Sequence, residues 1–230
     1  MSLKKIIKNS LHLFGLDVHK YKAPNYRWLE ELEIKTVLDI GANIGQFAQK
    51  ISTIIPDIKV YSFEPIKSCY EDLKRETADI NVEALNFALG EDNYETEINI
   101  SEHSPSSSIR EMADLHKSEY AHTIRHTTEK IKVKKLDDVI GDLKIVPNLM
   151  VKIDVQGFED NVIRGGEKTI ATAKMVLIEM SYYCLYKDQL LFDDLYKKLN
   201  ALGFHFAGNW SQAVSEKDGK ILYSDSIFIK

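Results

Sequence analysis

TVLDIGANIG, residues 36–45, is the stretch whose reading decides the fold. Its first five residues, Thr36–Ile40, form a short apolar run rich in β-branched side chains. Such a run reads as a parallel strand buried on both faces. Asp39 stands near its end; Gly41, Ala42 and Asn43 follow, then Ile44, Gly45 and a helical pattern from Gln46. Strand, tight glycine turn and helix follow one another. In open α/β sheets ligands bind at the carboxyl ends of such strands. Glycines there let backbone approach a ligand, and the helix opens with unpaired N–H groups that favour negative charge.

The glycine spacing narrows the ligand. A dinucleotide fingerprint needs G-x-G-x-x-G, and this turn reads G-x-x-x-G. A P-loop needs Lys-Ser or Lys-Thr after its glycines, and none follows. What remains is the D-x-G-x-x-x-G pattern of sheets that bind S-adenosylmethionine. The second strand agrees. Lys59–Phe63 reads as a strand, and Glu64 stands at its end before Pro65. An acidic side chain there can accept hydrogen bonds from both ribose hydroxyls.

Outward from this core, strand and helix alternate. Residues 46–55 read as helix, stopped near Pro56; residues 68–77 read as a second helix and 82–87 as a third strand. This order implies a parallel sheet with right-handed crossovers. The pattern then changes. Residues 95–100 and 129–135 alternate polar with apolar, as half-exposed strands do. Between them, residues 101–128 form a long insert with Ser104, Ser106, Ser107, Ser108 and a helix-like stretch over 109–120. An insert of that length beside a ligand site often covers a substrate. His122 and His126 have i,i+4 spacing, but no H-E-x-x-H or acidic third ligand accompanies them, so they read as solvated polar residues.

The sheet resumes with residues 149–155, whose core is MVKIDV. Lys152 and Asp154 share one face of it, because side chains alternate. A lysine inside a buried strand is costly unless paired, and Asp154, Asp39 or Glu179 can pair it. That pair is either a structural ion pair or part of the site. Leu136–Val139 starts a short helix before this strand. Residues 158–172 are helix interrupted by Gly165 and Gly166, 175–180 a buried strand containing Glu179, and 192–202 an amphipathic helix closed by Gly203. Strands over 204–207 and 226–229 follow, with a turn at Asp218–Gly219 that makes the last strand antiparallel.

Composition bounds the rest. The 230 residues are 44% hydrophobic, which suits one α/β domain with short additions. A net charge of −5 argues against a general nucleic-acid binder. Cys69 and Cys184 form neither a disulfide framework nor a metal motif, and a reducing cytoplasm is the simple reading. No run is long and apolar enough to span a bilayer, and the N-terminus lacks the apolar core and cleavage site of a signal peptide. Residues 2–14 form a short basic amphipathic helix, which either packs on the domain or makes a weak contact with anionic lipid. A linker over 21–25 and a short helix over 26–32 lead to the first strand. The chain thus divides into a helical extension, 1–35, and a domain, 36–230. Oligomeric state is silent in the sequence.

Several separated stretches agree with one family. The chain resembles the FkbM-type S-adenosylmethionine-dependent methyltransferases in VLDIGANIGQF (37–47), SFEP (62–65), NFALG (86–90), the serine loop at 106–108, KIDVQGFED (152–160) and DSIFI (225–229). Members usually carry Glu where Gln156 stands, so the resemblance implies no second carboxylate there. The resemblance implies an α/β class I methyltransferase fold. That is a Rossmann-like sheet of seven mainly parallel strands with an antiparallel last strand, helices on both faces and a small β insertion after the third strand. It also implies O-methylation of a sugar or other hydroxylated metabolite with S-adenosyl-L-methionine as cofactor.

On that reading Gly41, Asn43 and Gly45 lie against the methionine end, Asp39 favours the cationic end, and Glu64 with Pro65 takes the ribose. Phe87 and Ala88 wall the adenine. Asp154, Gln156, Glu159 and Glu179 gather where the methyl points; Asp154 is the first candidate for a general base, Glu159 the second, and Lys152 orients Asp154. Ser106, Ser107, Ser108, Gln156 and Glu179 face the acceptor. Catalysis is expected to be metal-free, the alternative being Mg²⁺ held by Asp154 and Glu179. Two other readings stand beside this one. An inactive cofactor-binding module has Gln156 as its support, and a nucleotide-dependent oxidoreductase is opposed by the missing glycine.

Overall fold

The computed structural model describes residues 10, 11, 14, 26–101, 104–120, 123 and 126–230. The expected basic helix over 2–14, apart from those three residues, the linker over 21–25 and His122 lie outside the described residues.

Seven strands build one sheet: β1 (Thr36–Ile40), β2 (Lys59–Phe63), β3 (Val82–Leu85), β7 (Leu149–Ile153), β8 (Met175–Ser181), β9 (His205–Val214) and β10 (Ile221–Ile229). Their order is β3-β2-β1-β7-β8-β10-β9. All neighbours are parallel except those of β10, which runs antiparallel to both β8 and β9. This is the seven-stranded sheet with an antiparallel last strand that the resemblance implies. The chain starts at the middle, works to one edge, and returns to build the other half. The order therefore reverses beside β1, between β1 and β7, where open α/β sheets bind ligands.

The continuous apolar runs follow from burial on both faces. Leu38, Ile40, Phe63, Val151, Ile153 and Ile178 belong to one core, closed by α5 (Glu159–Gly165), α6 (Glu167–Ile170) and α7 (Phe192–Ala201). Val37, Val60, Met150, Met175 and Leu177 belong to the other, closed by α1 (Gln46–Ile54) and the 3₁₀ helix Arg27–Leu32. Two positions beyond Val37, Val60, Met150 and Leu177 come Asp39, Ser62, Lys152 and Glu179. The period of two thus sets a polar row at the strand ends, on the face that α1 covers. Leu29 and Ile34, before the expected domain start at residue 36, are buried in this second core.

The third strand ends earlier than expected. At Asn86 the chain leaves the sheet, and the Asn86 amide donates to the backbone carbonyls of Glu64 (2.9 Å) and Pro65 (3.0 Å). Ala88–Leu89 (β4) then joins β5 (Tyr94–Ser101) and β6 (His126–Lys134) in a second, three-stranded sheet. Ile66, Cys69, Ile98 and Val133 pack between this sheet and α2 (Lys67–Glu76).

The helix expected over 109–120 is confined to α3 (Asp114–Glu119), and the short helix expected from Leu136 is α4 (Leu136–Val139). Ahead of α3, backbone groups are taken by other segments: Ser108 pairs with Asn99, Met112 bridges Tyr186, and Ala113 N–H donates to Leu185 O. The last two strands are longer than the sequence pattern suggests. Both contain polar residues that alternate poorly, and pairing rather than apolar patterning carries them.

The small sheet sits tightly on α5. A Cβ added at Gly165 would fall 1.8 Å from the carbonyl oxygen of Gly90. Both partners there are backbone, so neither can rotate away. Gly165→Ala should lower stability by about 2 kcal/mol or more in urea unfolding, despite the helix propensity of alanine. Gly141, which has nothing within 4 Å of its added Cβ, serves as the control and should tolerate alanine.

Candidate active site

The turn after β1 is held from β2. Gly41 N–H and Ala42 N–H both donate to Phe63 O, at 3.1 and 3.0 Å. Gly41 has φ +78°, and a Cβ there would lie 1.9 Å from Asp154 O. Only glycine lets the ends of β1 and β7 come this close. Glu64 closes the turn: one carboxylate oxygen accepts Asn43 N–H and the other Ile66 N–H, each at 2.9 Å. Each oxygen keeps a lone pair for a further donor. Burial pushes the Glu64 carboxyl up to about 7, and the two amides oppose the rise.

Behind the turn lies a buried cation. Lys152 is the register partner of Asp39 across β1 and β7. Its ammonium donates to Gly41 O at 2.8 Å and stands 3.3 Å from Asp39 and 3.5 Å from Asp154. Burial alone would push Lys152 down; Asp154 and Asp39 outweigh it, so the net direction is up. Asp39 is raised by burial and held back by Lys152. Lys152 is therefore a cation shared by two carboxylates and one carbonyl.

Beyond β7 the chain makes a tight turn at Gln156, which adopts the left-handed φ of +55°. Glu159 fixes that turn, accepting Val155 N–H at 3.2 Å and Gly157 N–H at 3.0 Å. Ser108 anchors it from the insert, donating to Gln156 O at 2.6 Å. The Gln156 side chain then points between two acids. Its Nε2 donates to Asp154 (2.8 Å) and to both oxygens of Glu179 (3.2 Å), while its Oε1 accepts Tyr186 O–H (2.7 Å). Burial first, and then the charges of Asp154, Glu159 and Asp225, raise Glu179 well above the usual carboxylate range.

These groups line two adjoining cavities. The larger, about 550 Å³, runs from Glu64 and the apolar wall of Ile66, Ala88 and Leu89 to Lys152 and Asp154. The smaller, about 410 Å³, is walled by Ser106, His116 and Tyr120 of the insert and by Gln212 and Tyr223 of the last two strands. Asp154, Gln156 and Glu179 line both.

The structure brings most of the expected residues together. Gly41, Asn43, Glu64, Pro65, Ala88, Ser107, Lys152, Asp154, Gln156 and Glu179 line the larger cavity, and Ser106 the smaller. Five stand elsewhere. Phe87 is not part of the adenine-side wall; its ring packs edge-on against Phe63 with Lys134 over its face, and Ala88 and Leu89 form the wall instead. Asp39 lies behind Lys152, and Gly45 caps α1. Glu159 is absent from both linings because its carboxylate is turned into its own loop. Ser108 is buried, holding Gln156.

Several lining residues carry no motif. Tyr26, Lys50 and Trp210 face the larger cavity, and Tyr223 the smaller. Asp225 lines both and was legible only as part of DSIFI. Among the described residues no group of three or more His, Cys, Asp or Glu is disposed to hold a metal, and no helix is long and apolar enough to cross a membrane.

The raised carboxyls fix a pH dependence. Glu64 and Glu159, both near 7 when folded against an ordinary value of 4.5, bind protons more tightly in the folded state. Their contribution to stability is full below about 4.5 and is lost as pH rises through about 7. Glu64→Gln should flatten part of the fall in urea midpoint between about pH 5 and 8; an unchanged slope would contradict a carboxyl raised by burial.

The methyltransferase FkbM domain model matches residues 39–206. The chain is 26% identical over 162 residues to 2-O-methyltransferase NoeI of Sinorhizobium fredii, covering 67% of this chain and 66% of that one. It is 25% identical over 174 residues to AMB antimetabolite synthetase AmbE of Pseudomonas aeruginosa, covering 63% of this chain and 8% of that one. Among solved structures, 1,6-didemethyltoxoflavin-N1-methyltransferase of Burkholderia thailandensis superposes with a TM-score of 0.47 at 10% identity, covering 87% of this chain and 73% of that one.

Proposed function

The chain belongs to the methyltransferase FkbM domain family, and from that premise we propose that it methylates a hydroxyl of a sugar or other hydroxylated small metabolite. Its cofactor is S-adenosyl-L-methionine. The residues fit that group. Glu64 has lone pairs for a ribose diol, and the apolar wall of Ile66, Ala88 and Leu89 suits a purine. When bound, the cofactor supplies a methyl group activated by a positive sulfur.

One observation carries the proposal: the two cavities share Asp154, Gln156 and Glu179 as a common wall. In this reading the larger cavity takes the cofactor and the smaller the acceptor, so the two meet at Asp154. Asp154 is the general base that takes the hydroxyl proton as the carbon–oxygen bond forms. Lys152 and the Gln156 amide hold its carboxylate in place from two sides. Glu159 is set aside as a base, since it accepts the amides of its own loop and faces neither cavity. Ser106, Tyr120, Gln212 and Tyr223 offer the hydrogen-bonding groups that a polyhydroxylated acceptor needs. The name of NoeI, an O-methyltransferase, supports oxygen as the accepting atom.

Release of S-adenosylhomocysteine in a screen of nucleotide sugars and saccharides identifies the acceptor. With that acceptor, Asp154→Asn should lower kcat by roughly 10²-fold or more, with cofactor affinity and melting temperature little changed. A matched loss of cofactor binding would assign Asp154 to the cofactor, and full activity would remove it as the base.

A further inference from the structure

Among the described residues lining the larger cavity, two are basic, Lys152 and Lys50. Lys152 is buried and already shared by Gly41 O, Asp39 and Asp154. Lys50 is exposed and has no carboxylate within ion-pair distance among the described residues. It is nevertheless placed. Its ammonium lies 4.7 Å from the centre of the Trp210 ring and 5.7 Å from that of Tyr26. Those rings stack on each other at 4.7 Å, and Trp28 abuts Trp210 edge-on.

Three distant parts of the chain meet here: the approach to the 3₁₀ helix brings Tyr26, α1 brings Lys50, and β9 brings Trp210. On α1, Phe47 and Lys50 are three apart and share a face, and both line the cavity. A lysine usually loses much side-chain freedom when it pairs. A lysine already resting on two aromatic faces has less to lose.

S-adenosylmethionine presents a ribose diol, a sulfonium and a carboxylate. Glu64 meets the diol, and the methyl must reach Asp154. The carboxylate needs a cation with N–H groups to spare. We propose that Lys50, held by Trp210 and Tyr26, is the residue that pairs with the cofactor's carboxylate. The proposal rests on S-adenosylmethionine as the cofactor. It makes residues just ahead of β1 part of the binding site, through Tyr26.

Calorimetry on the full chain tests it with two nucleoside thioethers. S-Adenosylhomocysteine carries the carboxylate; 5′-methylthioadenosine lacks it. Lys50→Met should weaken S-adenosylhomocysteine about tenfold, the effect of one charge-assisted hydrogen bond, and leave 5′-methylthioadenosine within about twofold. Lys50→Arg, which keeps the charge and the stacking, should restore most of the loss. Lys50→Gln gives the same comparison should the methionine variant fold poorly. Unchanged affinity for S-adenosylhomocysteine would overturn the proposal. An equal loss for both ligands would also overturn it, making Lys50 part of the wall only. Failure of the unaltered protein to bind either ligand would overturn the cofactor reading itself, and the proposal with it.

Discussion

The buried ammonium of Lys152 is the constraint on which the site depends. It lies opposite Asp39 in the register of the two central strands, with its amine on Gly41 O and its charge shared with Asp154. Asp39 is fully buried, and its Oδ1 accepts no well-directed hydrogen bond; the charge of Lys152 at 3.3 Å compensates it. A buried pair of this kind returns little net stability, because desolvation offsets the attraction. Its consequence is positional. One cation fixes the glycine turn that borders the larger cavity and the carboxylate at the junction with the smaller.

Gln156 continues that arrangement. An amide nitrogen carries two hydrogens, and here they reach two acids, Asp154 and Glu179. A carboxylate at this position would have to carry a proton to donate to either. The amide oxygen takes Tyr186 O–H, and the backbone carbonyl takes Ser108. The insert, the β8–α7 connection and the β7 end are thereby tied to one left-handed residue. Glu159 serves the same turn from below. What reads in sequence as a run of acids, Asp154 to Asp160, is divided by geometry: Asp154 faces the cavities, Glu159 faces the backbone, and Asp160 pairs with Arg110 and Arg164.

That division marks how far the sequence could be read. Thr36–Ile40 and Lys59–Phe63 were legible because apolar, β-branched runs buried on both faces leave little choice of structure. Glu64 and Lys152 were legible because charges at the ends or inside such runs need a partner or a ligand. Phe87 was misplaced because one residue, Asn86, caps the carbonyls of Glu64 and Pro65 and turns the chain into the second sheet. Helical spacing ahead of Asp114 was overruled by the bridge from Met112 to Tyr186, a partner distant in sequence. Trp210, Tyr26 and Lys50 gave no signal at all, since each lies in an unremarkable segment and only the fold stacks them.

The stability of Lys152→Met, measured by urea unfolding, tests the central constraint most directly. Removing the cation leaves Asp39 buried with its charge uncompensated, so a loss of about 3–5 kcal/mol is predicted, and adding Asp39→Asn should recover part of it. A loss below about 1 kcal/mol, the scale of an exposed ion pair, would contradict the account.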